Sequence, residues 1–252
     1  MSAPQGCGKS TLVSSLQALL GVEGHDVAGV SLDDFYLTGE QQDAVAAAHP
    51  GNELLRFRGN PGTHDTSLAR ETLSSLVALG SETSGEEKGK GREVRVPSYD
   101  KSLRAGRGDR APPEAWPTAE APLQVLLFEG WSLGFAPLSD EARSAVPPSL
   151  LPVDDALRSY ADNMESFVDA WLVLRVADPS WVFGWRAQAE RALRDSGRPG
   201  LSDAQVKDFV DRFMPSYAAY LPRLYAEGPA GRAGVPRLAL DIDQDRTLIA
   251  AE

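Results

Sequence analysis

The chain has little of what marks a secreted, membrane or nucleic-acid-binding protein. Its 252 residues include one cysteine, Cys7, so no disulfide forms within the chain and a reducing compartment is expected. No apolar run approaches the length of a membrane span. Lys and Arg number 25 against 36 Asp and Glu, and the formal charge of −11 argues against nucleic acid or an anionic membrane as partner.

What the sequence does have, at its start, is a phosphate-binding pattern. Ala3-Pro-Gln-Gly-Cys-Gly-Lys-Ser10 matches the phosphate loop of nucleotide-binding proteins, except that Ala3 stands where Gly is usual. Its glycines let backbone N–H groups turn towards phosphate oxygens, Lys9 reaches the outer phosphates, and the Ser10 hydroxyl ligates Mg²⁺. The expected nucleotide-binding residues are Gly6, Cys7, Gly8, Lys9, Ser10 and Thr11.

A helix is expected directly after this loop, because its positive end then faces the bound anion. Residues 11–20 supply an apolar stripe, and Gly21 is the expected end of the helix. The stripe consists of Leu12, Leu16, Leu19 and Leu20. The alternative, a glycine-rich turn without function, is disfavoured because the helical context also fits.

Short apolar runs predict the strands of a parallel sheet. They cover residues 25–32, 123–129, 170–177 and, as the last strand, 235–243. With the phosphate loop they predict an α/β fold, a three-layer α/β/α P-loop NTPase with a mainly parallel sheet. We expect residues 1–252 to form one domain with a helical lid over about 181–214.

Acidic residues follow two of these strands at the carboxyl ends, where ligands bind in open α/β sheets. Asp33 and Asp34 follow the first strand, and one of them is placed to accept a proton from an attacking hydroxyl. The alternative is an acidic turn that caps the next helix. Glu129 ends the second strand and fits a Walker B residue that holds Mg²⁺ beside Ser10, although Asp is more usual there.

Three irregular segments are expected. Residues 39–65 are dense in turn formers, and the part that carries Arg58, His64 and Asp65 is either a substrate-binding loop or a solvated connector. Residues 80–93 predict a flexible surface insertion, and the proline-rich residues 136–152 an irregular excursion.

Cations concentrate in two places in this acidic chain. Lys101, Arg104, Arg107 and Arg110 either neutralise an anionic substrate or form a solvated loop. Arg186, Arg191 and Arg194 lie on a helix predicted over 181–194, with Trp181, Trp185, Ala189 and Leu193 as its apolar stripe. Those arginines form either a lid over the transferring phosphates or an ordinary exposed face. A further helix begins at the capping box of Ser202 and ends before Pro215.

Together these stretches resemble the D-glycerate 3-kinases of plants and fungi, within the P-loop small-molecule kinases that include uridine kinase, phosphoribulokinase and pantothenate kinase. The resemblance covers nearly the whole chain. The matching stretches are 3–10, 31–36, 58–65, 99–102, 106–110, 128–131, 185–190, 202–209 and 220–228. Ser31-Leu-Asp-Asp-Phe-Tyr36 is shared with uridine kinase and identifies the group, not the substrate.

The resemblance implies ATP- and Mg²⁺-dependent phosphorylation of D-glycerate to 3-phosphoglycerate. By the same resemblance Asp33 is the base, Lys9 and Arg186 assist catalysis, and Glu129 binds the metal with Ser10. The implied substrate-binding residues are Arg58, Asp65, Tyr99, Lys101 and Arg110. We expect an intracellular monomer, in cytoplasm or plastid stroma.

Two other functions remain open at this stage. The first is a kinase of another hydroxylated acceptor, such as a nucleoside, pantothenate or a sugar phosphate; a nucleoside has no carboxylate for the cationic loop to neutralise. The second is a P-loop switch or ATPase without an acceptor. The sequence lacks the Asn-Lys-x-Asp guanine signature, and the Asp33-Asp34 pair at a strand end favours an acceptor.

The strand that should precede the phosphate loop is the last expectation. In similar kinases that strand is central, yet only Met1 and Ser2 precede Ala3, so we expect a chain that begins inside a longer one. Loss of a central strand removes energy comparable with a domain's whole margin of about 5–15 kcal/mol. We predict that the 252-residue chain folds marginally, and that a short upstream segment rich in Val and Ile restores cooperative unfolding in a urea melt. Equal midpoints and slopes for the two chains contradict this.

Overall fold

The computed structural model describes residues 1–80, 92–198, 200–231 and 234–252. The strands are β1 (Val27–Ser31), β2 (Glu93–Arg95), β3 (Tyr99–Asp100), β4 (Asp109–Arg110), β5 (Thr118–Glu120), β6 (Val125–Glu129), β7 (Trp171–Val176), β8 (Arg237–Ile242) and β9 (Leu248–Ala251). The helices are α1 (Lys9–Val22), α2 (Gly39–Ala48), α3 (Thr66–Gly80), α4 (Asp140–Ala145), α5 (Leu151–Asn163), α6 (Trp181–Asp195), α7 (Asp203–Asp211) and α8 (Met214–Glu227).

The central sheet consists of two halves joined by the first residues of the chain. β1 pairs in parallel with β6, and β7 pairs in parallel with β8, to which β9 adds an antiparallel edge. Ser2 bridges Gly130, just past β6, on one side and Val173 of β7 on the other. Its N–H donates to Leu172 O at 2.8 Å, and its carbonyl accepts from Leu174 N at 2.9 Å. Met1 and Ser2 thus lie in the central position predicted for the first strand.

Helices cover this sheet and confirm the predicted α/β P-loop class. α1 contacts β1 and β6, α3 also lies on β6, and α5 packs on α3. Aromatic side chains fill the core around Trp131, whose ring makes edge-to-face contacts with Phe135, Phe213 and Tyr217. No helix in the described ranges has the length and apolar character needed to cross a bilayer.

Two segments predicted to be irregular contain helices. α2 lies inside 39–65, because Thr38 and Gln41 form a capping box and an alanine-rich run follows; the turn formers begin only at His49. α4 lies inside 136–152, where the Ser139 hydroxyl accepts from Ala142 N at 3.3 Å. Most of the predicted insertion, residues 81–91, lies outside the described residues.

Other expectations about elements were also wrong in part. α1 continues through Gly21 to Val22, its buried residue is Val13, and Leu19 is 57% exposed. On α6 the buried side chains are Val182, Trp185 and Glu190, whereas Ala189 is exposed. The face of α6 towards the core therefore includes Trp185 but not Ala189. The sequence reasoning missed α8, which holds Pro222 within it, and β9, which follows the supposed last strand.

A buried carboxylate fixes the segment between β6 and α5. Asp154, on α5, is fully buried and accepts from Leu138 N at 2.8 Å and from the Tyr220 hydroxyl at 3.2 Å. The Arg143 guanidinium on α4 donates to its other oxygen. Leu138 and Arg143 belong to the segment around α4 and Tyr220 to α8, so this side chain joins α4, α5 and α8.

We predict that Asp154→Ala lowers the free energy of unfolding by about 3–5 kcal/mol, because it leaves Arg143 and two donors without their buried partner. Urea denaturation measures the change. Asp155→Ala is the matched control: Asp155 binds the same arginine at 2.9 Å, but its side chain is 58% exposed. That variant should lose no more than about 1 kcal/mol. Similar losses in the two variants contradict the assignment.

Candidate active site

One cleft lies where the phosphate loop meets the carboxyl ends of β1 and β6. Its volume is about 620 Å³. Of the candidate site residues predicted from the sequence, those that line it are Gly6, Lys9, Ser10, Asp33, Asp34, Arg58, Tyr99, Lys101, Glu129 and Arg186. The loop, both acidic strand ends, the cationic loop and α6 therefore converge on one space, although they lie far apart in sequence.

The phosphate loop has the backbone conformation that its glycines predict. Gly6 and Gly8 have φ of 77° and 99°, in the left-handed region, and Gly8 is the N-cap of α1. The N-terminus of this 14-residue helix therefore follows the loop directly. Lys9 Nζ donates to Pro4 O at 3.1 Å, which folds its side chain back along the loop.

Three predicted nucleotide-binding residues do not line the cleft in the described part of the chain. Cys7 is buried, its Sγ donates to Pro4 O at 2.9 Å, and burial raises the pKa of its thiol. Gly8 acts as the helix cap, and Thr11 is exposed in the first turn of α1. Any contact of Cys7 and Gly8 with phosphate is thus through the backbone.

Ser10 and Glu129, the two residues predicted to hold the metal, form a direct pair. The Ser10 hydroxyl donates to Glu129 Oε1 at 2.8 Å, and Glu129 is buried at the end of β6. A hydroxyl and a carboxylate are hard oxygen donors of the kind that Mg²⁺ uses together with phosphate oxygens and water. No group of three or more His, Cys, Asp or Glu side chains gathers as a metal site within the described ranges.

Asp33 is held from both sides. Lys101 Nζ lies 2.5 Å from its Oδ2, and the Tyr36 hydroxyl donates to its Oδ1 at 3.0 Å. Burial alone would raise the pKa of the Asp33 carboxyl, but Lys101, with smaller contributions from His64 and Tyr36, outweighs burial and holds it below its usual range. Asp33 is therefore ionised at neutral pH.

Its neighbour Asp34 has a structural role. Asp34 Oδ2 accepts from Ser31 N at 3.1 Å and completes a capping box for the turn after β1. Burial raises the pKa of Asp34 to about 6. The sequence left open which acid is the base and whether the pair caps a turn. In the structure Asp34 caps the turn, and Asp33 points its carboxylate to the cationic loop.

Two buried rings lie behind Asp33. His64 stacks on Tyr36 with ring centroids 4.5 Å apart, and its Nδ1 lies 2.5 Å from the Tyr160 hydroxyl. Burial lowers the pKa of His64 to about 4, so the ring is uncharged at neutral pH. Burial, together with Asp33, raises the pKa of Tyr36, which keeps its hydroxyl a donor. The turn that carries Asp33 is therefore packed against a neutral aromatic layer.

The predicted substrate-binding residues fall into two groups. Arg58 lies with its guanidinium 5.4 Å from the centroid of the Tyr99 ring and donates to the carbonyls of Gly106 and Arg107. Arg110 instead pairs with Asp65 at 3.1 Å. Neither Arg110 nor Asp65 is among the described residues that line the cleft.

Asp65 and two further cations have structural partners. Asp65 caps α3 by accepting from Leu68 N at 3.0 Å. Arg104 and Arg107 both bind Asp43 on α2. Of the four cations in the predicted anion-binding loop, Lys101 is the one that lines the cleft.

Arg186 of α6 lies in the cleft with its guanidinium fixed by two neighbours. It is 2.5 Å from Glu190 Oε1 and 4.5 Å from the centroid of the Phe209 ring. Glu190 is buried, and its Oε2 accepts from Leu201 N at 2.7 Å, just before α7. Its carboxylate therefore joins Arg186 to the turn between α6 and α7.

Sequence reasoning missed two contributors. Phe209 lines the cleft; in the sequence it is an apolar position on a predicted helix and ends the matching stretch 202–209, and no site role was expected of it. Arg246, in the turn between β8 and β9, donates to Gly6 O at 2.8 Å and lies 5.2 Å from the centroid of the Trp185 ring. It adopts φ of 65°, unusual for a residue with a side chain. No local pattern marks this residue, because its partners come from the opposite end of the chain.

Comparison with known proteins agrees with this geometry, although no family model matches the chain. The chain is 49% identical over 250 residues to D-glycerate 3-kinase, chloroplastic, of Arabidopsis thaliana, across 99% of this chain and 53% of that protein. It is 38% identical over 234 residues to the uncharacterized kinase mug58 of Schizosaccharomyces pombe, across 89% of this chain and 80% of that one.

The chain is also similar to a solved structure of a kinase. D-glycerate 3-kinase from Cryptococcus neoformans var. grubii matches 100% of this chain and 87% of that chain, with a TM-score of 0.85 and 30% identity. The chain spans about half the length of the Arabidopsis relative and four-fifths or more of the two fungal proteins.

We predict that Glu190 positions Arg186. In Glu190→Ala the guanidinium loses its carboxylate partner, and kcat should fall by up to about a hundredfold while the KM for ATP stays within twofold. Glu190→Gln keeps an acceptor for Leu201 N, so its kcat should lie between those of wild type and Glu190→Ala. Arg191→Ala, at an exposed neighbouring position, is the matched control and should behave as wild type. A Glu190→Ala protein with unchanged kcat would contradict the assignment.

Proposed function

The chain belongs to the D-glycerate 3-kinase family of P-loop kinases, and on that premise we propose that it transfers the γ-phosphoryl group of ATP to the C3 hydroxyl of D-glycerate. One observation carries the proposal beyond likeness. The cleft holds both a phosphate loop with a hydroxyl–carboxylate pair and, across from it, an acid in contact with a cation. The first set suits a nucleotide with its metal, and the second suits an acceptor that has a hydroxyl and a negative charge.

At the nucleotide end, the chain's own groups account for phosphate binding. Backbone N–H groups around Gly6 and Gly8 and the N-terminus of α1 favour phosphate oxygens, and Lys9 is the charge that would move from Pro4 O to the outer phosphates. Ser10 and Glu129 would hold Mg²⁺, the first as direct ligand and the second as its neighbour. When bound, the metal neutralises charge on the phosphate oxygens.

At the acceptor end, Asp33 is the proposed general base. It is ionised, it lines the cleft, and the neutral layer of Tyr36 and His64 fixes its direction. Lys101 and Arg58 are the proposed partners of the acceptor carboxylate, since a buried carboxylate without a cation is costly. Tyr99 lies on the cleft wall against the Arg58 guanidinium. Asp65 and Arg110 pair with each other and are proposed to support the loop that carries Lys101.

The reaction follows from these positions. Asp33 takes the proton of the C3 hydroxyl as that oxygen bonds to the γ-phosphorus, and the bond from this phosphorus to the β–γ bridging oxygen breaks. ADP leaves with the electron pair, and the proton passes to water. Arg186, which also lines the cleft, is the proposed cation for charge on the transferring group, and α6 and α7 are the proposed lid.

The compartment is also a proposal. The Arabidopsis relative is named chloroplastic, which supports a plastid stroma.

An ADP-release assay tests the function. With ATP and Mg²⁺ we expect turnover with D-glycerate well above that with L-glycerate, uridine or water alone. Asp33→Asn keeps the side-chain volume but cannot accept a proton, so kcat should fall by ~10²–10⁴-fold, or about 3–5 kcal/mol in the barrier, while ATP affinity changes little.

The outcomes separate the alternatives. Turnover with uridine in place of D-glycerate indicates a kinase of another acceptor, and ADP release independent of any acceptor indicates an ATPase. An Asp33→Asn protein that retains more than about a third of wild-type kcat contradicts the role of Asp33 as base. If Asp34→Asn is the damaging change instead, the base is Asp34.

A further inference from the structure

The acid proposed as base is already occupied in this structure. Lys101 Nζ and the Tyr36 hydroxyl each bind one of the two oxygens of Asp33, at 2.5 Å and 3.0 Å. A carboxylate beside an ammonium accepts a proton poorly, because the cation stabilises its charged form. Asp33 can therefore act as an effective base only after Lys101 has moved away.

The charges around Asp33 leave Lys101 as the group that controls it. His64, before α3, faces Asp33 but is uncharged at neutral pH, and Tyr36 is likewise neutral. Asp34, on the same turn, adds negative charge once it is ionised. Burial and, to a smaller extent, Glu129 at the end of β6 raise the pKa of Asp34. Lys101 supplies the positive charge next to Asp33 among the groups that the structure describes.

The lysine is also the cation that is able to move. Its side chain is 58% exposed, and its flexible four-carbon stem ends in a compact charge. Arg58, the other cation on this wall, is held by the carbonyls of Gly106 and Arg107 and by the Tyr99 ring. An incoming anion therefore finds Arg58 fixed and Lys101 free to turn towards it.

We propose that Lys101 makes the kinase selective for acceptors that carry a carboxylate close to the reacting hydroxyl, because only such an acceptor draws Lys101 away from Asp33. This inference rests on the proposed function and goes beyond it, since it assigns Lys101 a second role besides binding. Two carbon–carbon bonds separate the carboxylate carbon of glycerate from C3, so one small molecule reaches both Lys101 and Asp33.

The exchange couples acceptor binding to proton transfer. When the acceptor carboxylate binds Lys101, Asp33 Oδ2 becomes available for the hydroxyl proton, and the bond changes described above follow. Water and neutral polyols bring no charge to exchange with Asp33. They therefore leave Lys101 in place, and ATP is protected from hydrolysis while no acceptor is bound.

The selectivity of the protein for its acceptor tests this proposed role of Lys101. We would measure ADP release by the full chain with D-glycerate, with glycerol and with no acceptor, for wild type, Lys101→Met and Lys101→Arg. In Lys101→Met, kcat/KM for D-glycerate should fall at least about tenfold. Turnover with glycerol and with water should rise roughly threefold or more, because an opposite charge within about 4–6 Å lowers the pKa of an Asp by roughly 1–3 units, and base strength follows that pKa.

Lys101→Arg is the comparison variant: it keeps a cation beside Asp33, so turnover with glycerol and water should rise less than in Lys101→Met. An unchanged KM for ATP shows that both variants are folded. If turnover with glycerol and water in Lys101→Met stays at or below wild type, Lys101 only binds the acceptor and the inference is wrong. A wild type that ignores D-glycerate contradicts the proposed function instead, whereas the glycerol and water measurements decide the role of Lys101 independently.

Discussion

The parallel register between β1 and β6 is the constraint on which the cleft depends. It sets Ser31 opposite Glu129, so the two strands end at the same level of the sheet. Asp33 follows one strand end and Glu129 closes the other, and both side chains therefore reach one space. A shift of one residue would send the Glu129 side chain to the opposite face, away from Ser10. The positions of the Glu129 and Asp33 side chains thus share a single structural cause.

Much of this arrangement was predictable from local patterns. The phosphate loop, the acids at two strand ends and the capping box at Ser202 are short-range signals whose geometry follows from the residues themselves. The sequence failed where a partner from a distant segment decides the outcome. The sequence predicts that Arg104, Arg107 and Arg110 bind an anionic substrate. In the structure Arg110 pairs with Asp65, and Arg104 and Arg107 pair with Asp43.

Three helices, α2, α4 and α8, were not predicted from the sequence for a comparable reason. α2 and α4 are short, and α2 lies next to dense turn formers, so composition over a long window hid the capping signals at Thr38 and Ser139. α8 contains Pro222, which argues against a helix locally, yet Tyr217, Tyr220, Leu221 and Leu224 are buried on it. Tertiary burial outweighed the local cost of the proline.

The tie between Arg246 and Gly6 has a consequence for how the protein is made. The two residues are 240 positions apart, and the Trp185 ring under the arginine also lies far from both in sequence. Contacts this distant form late, because the entropy of closing so long a loop must be overcome first. On the ribosome, the phosphate loop emerges well before the arginine that holds it, because Gly6 precedes Arg246 by 240 residues. A nascent chain therefore carries the phosphate loop without this contact until Arg246 has emerged.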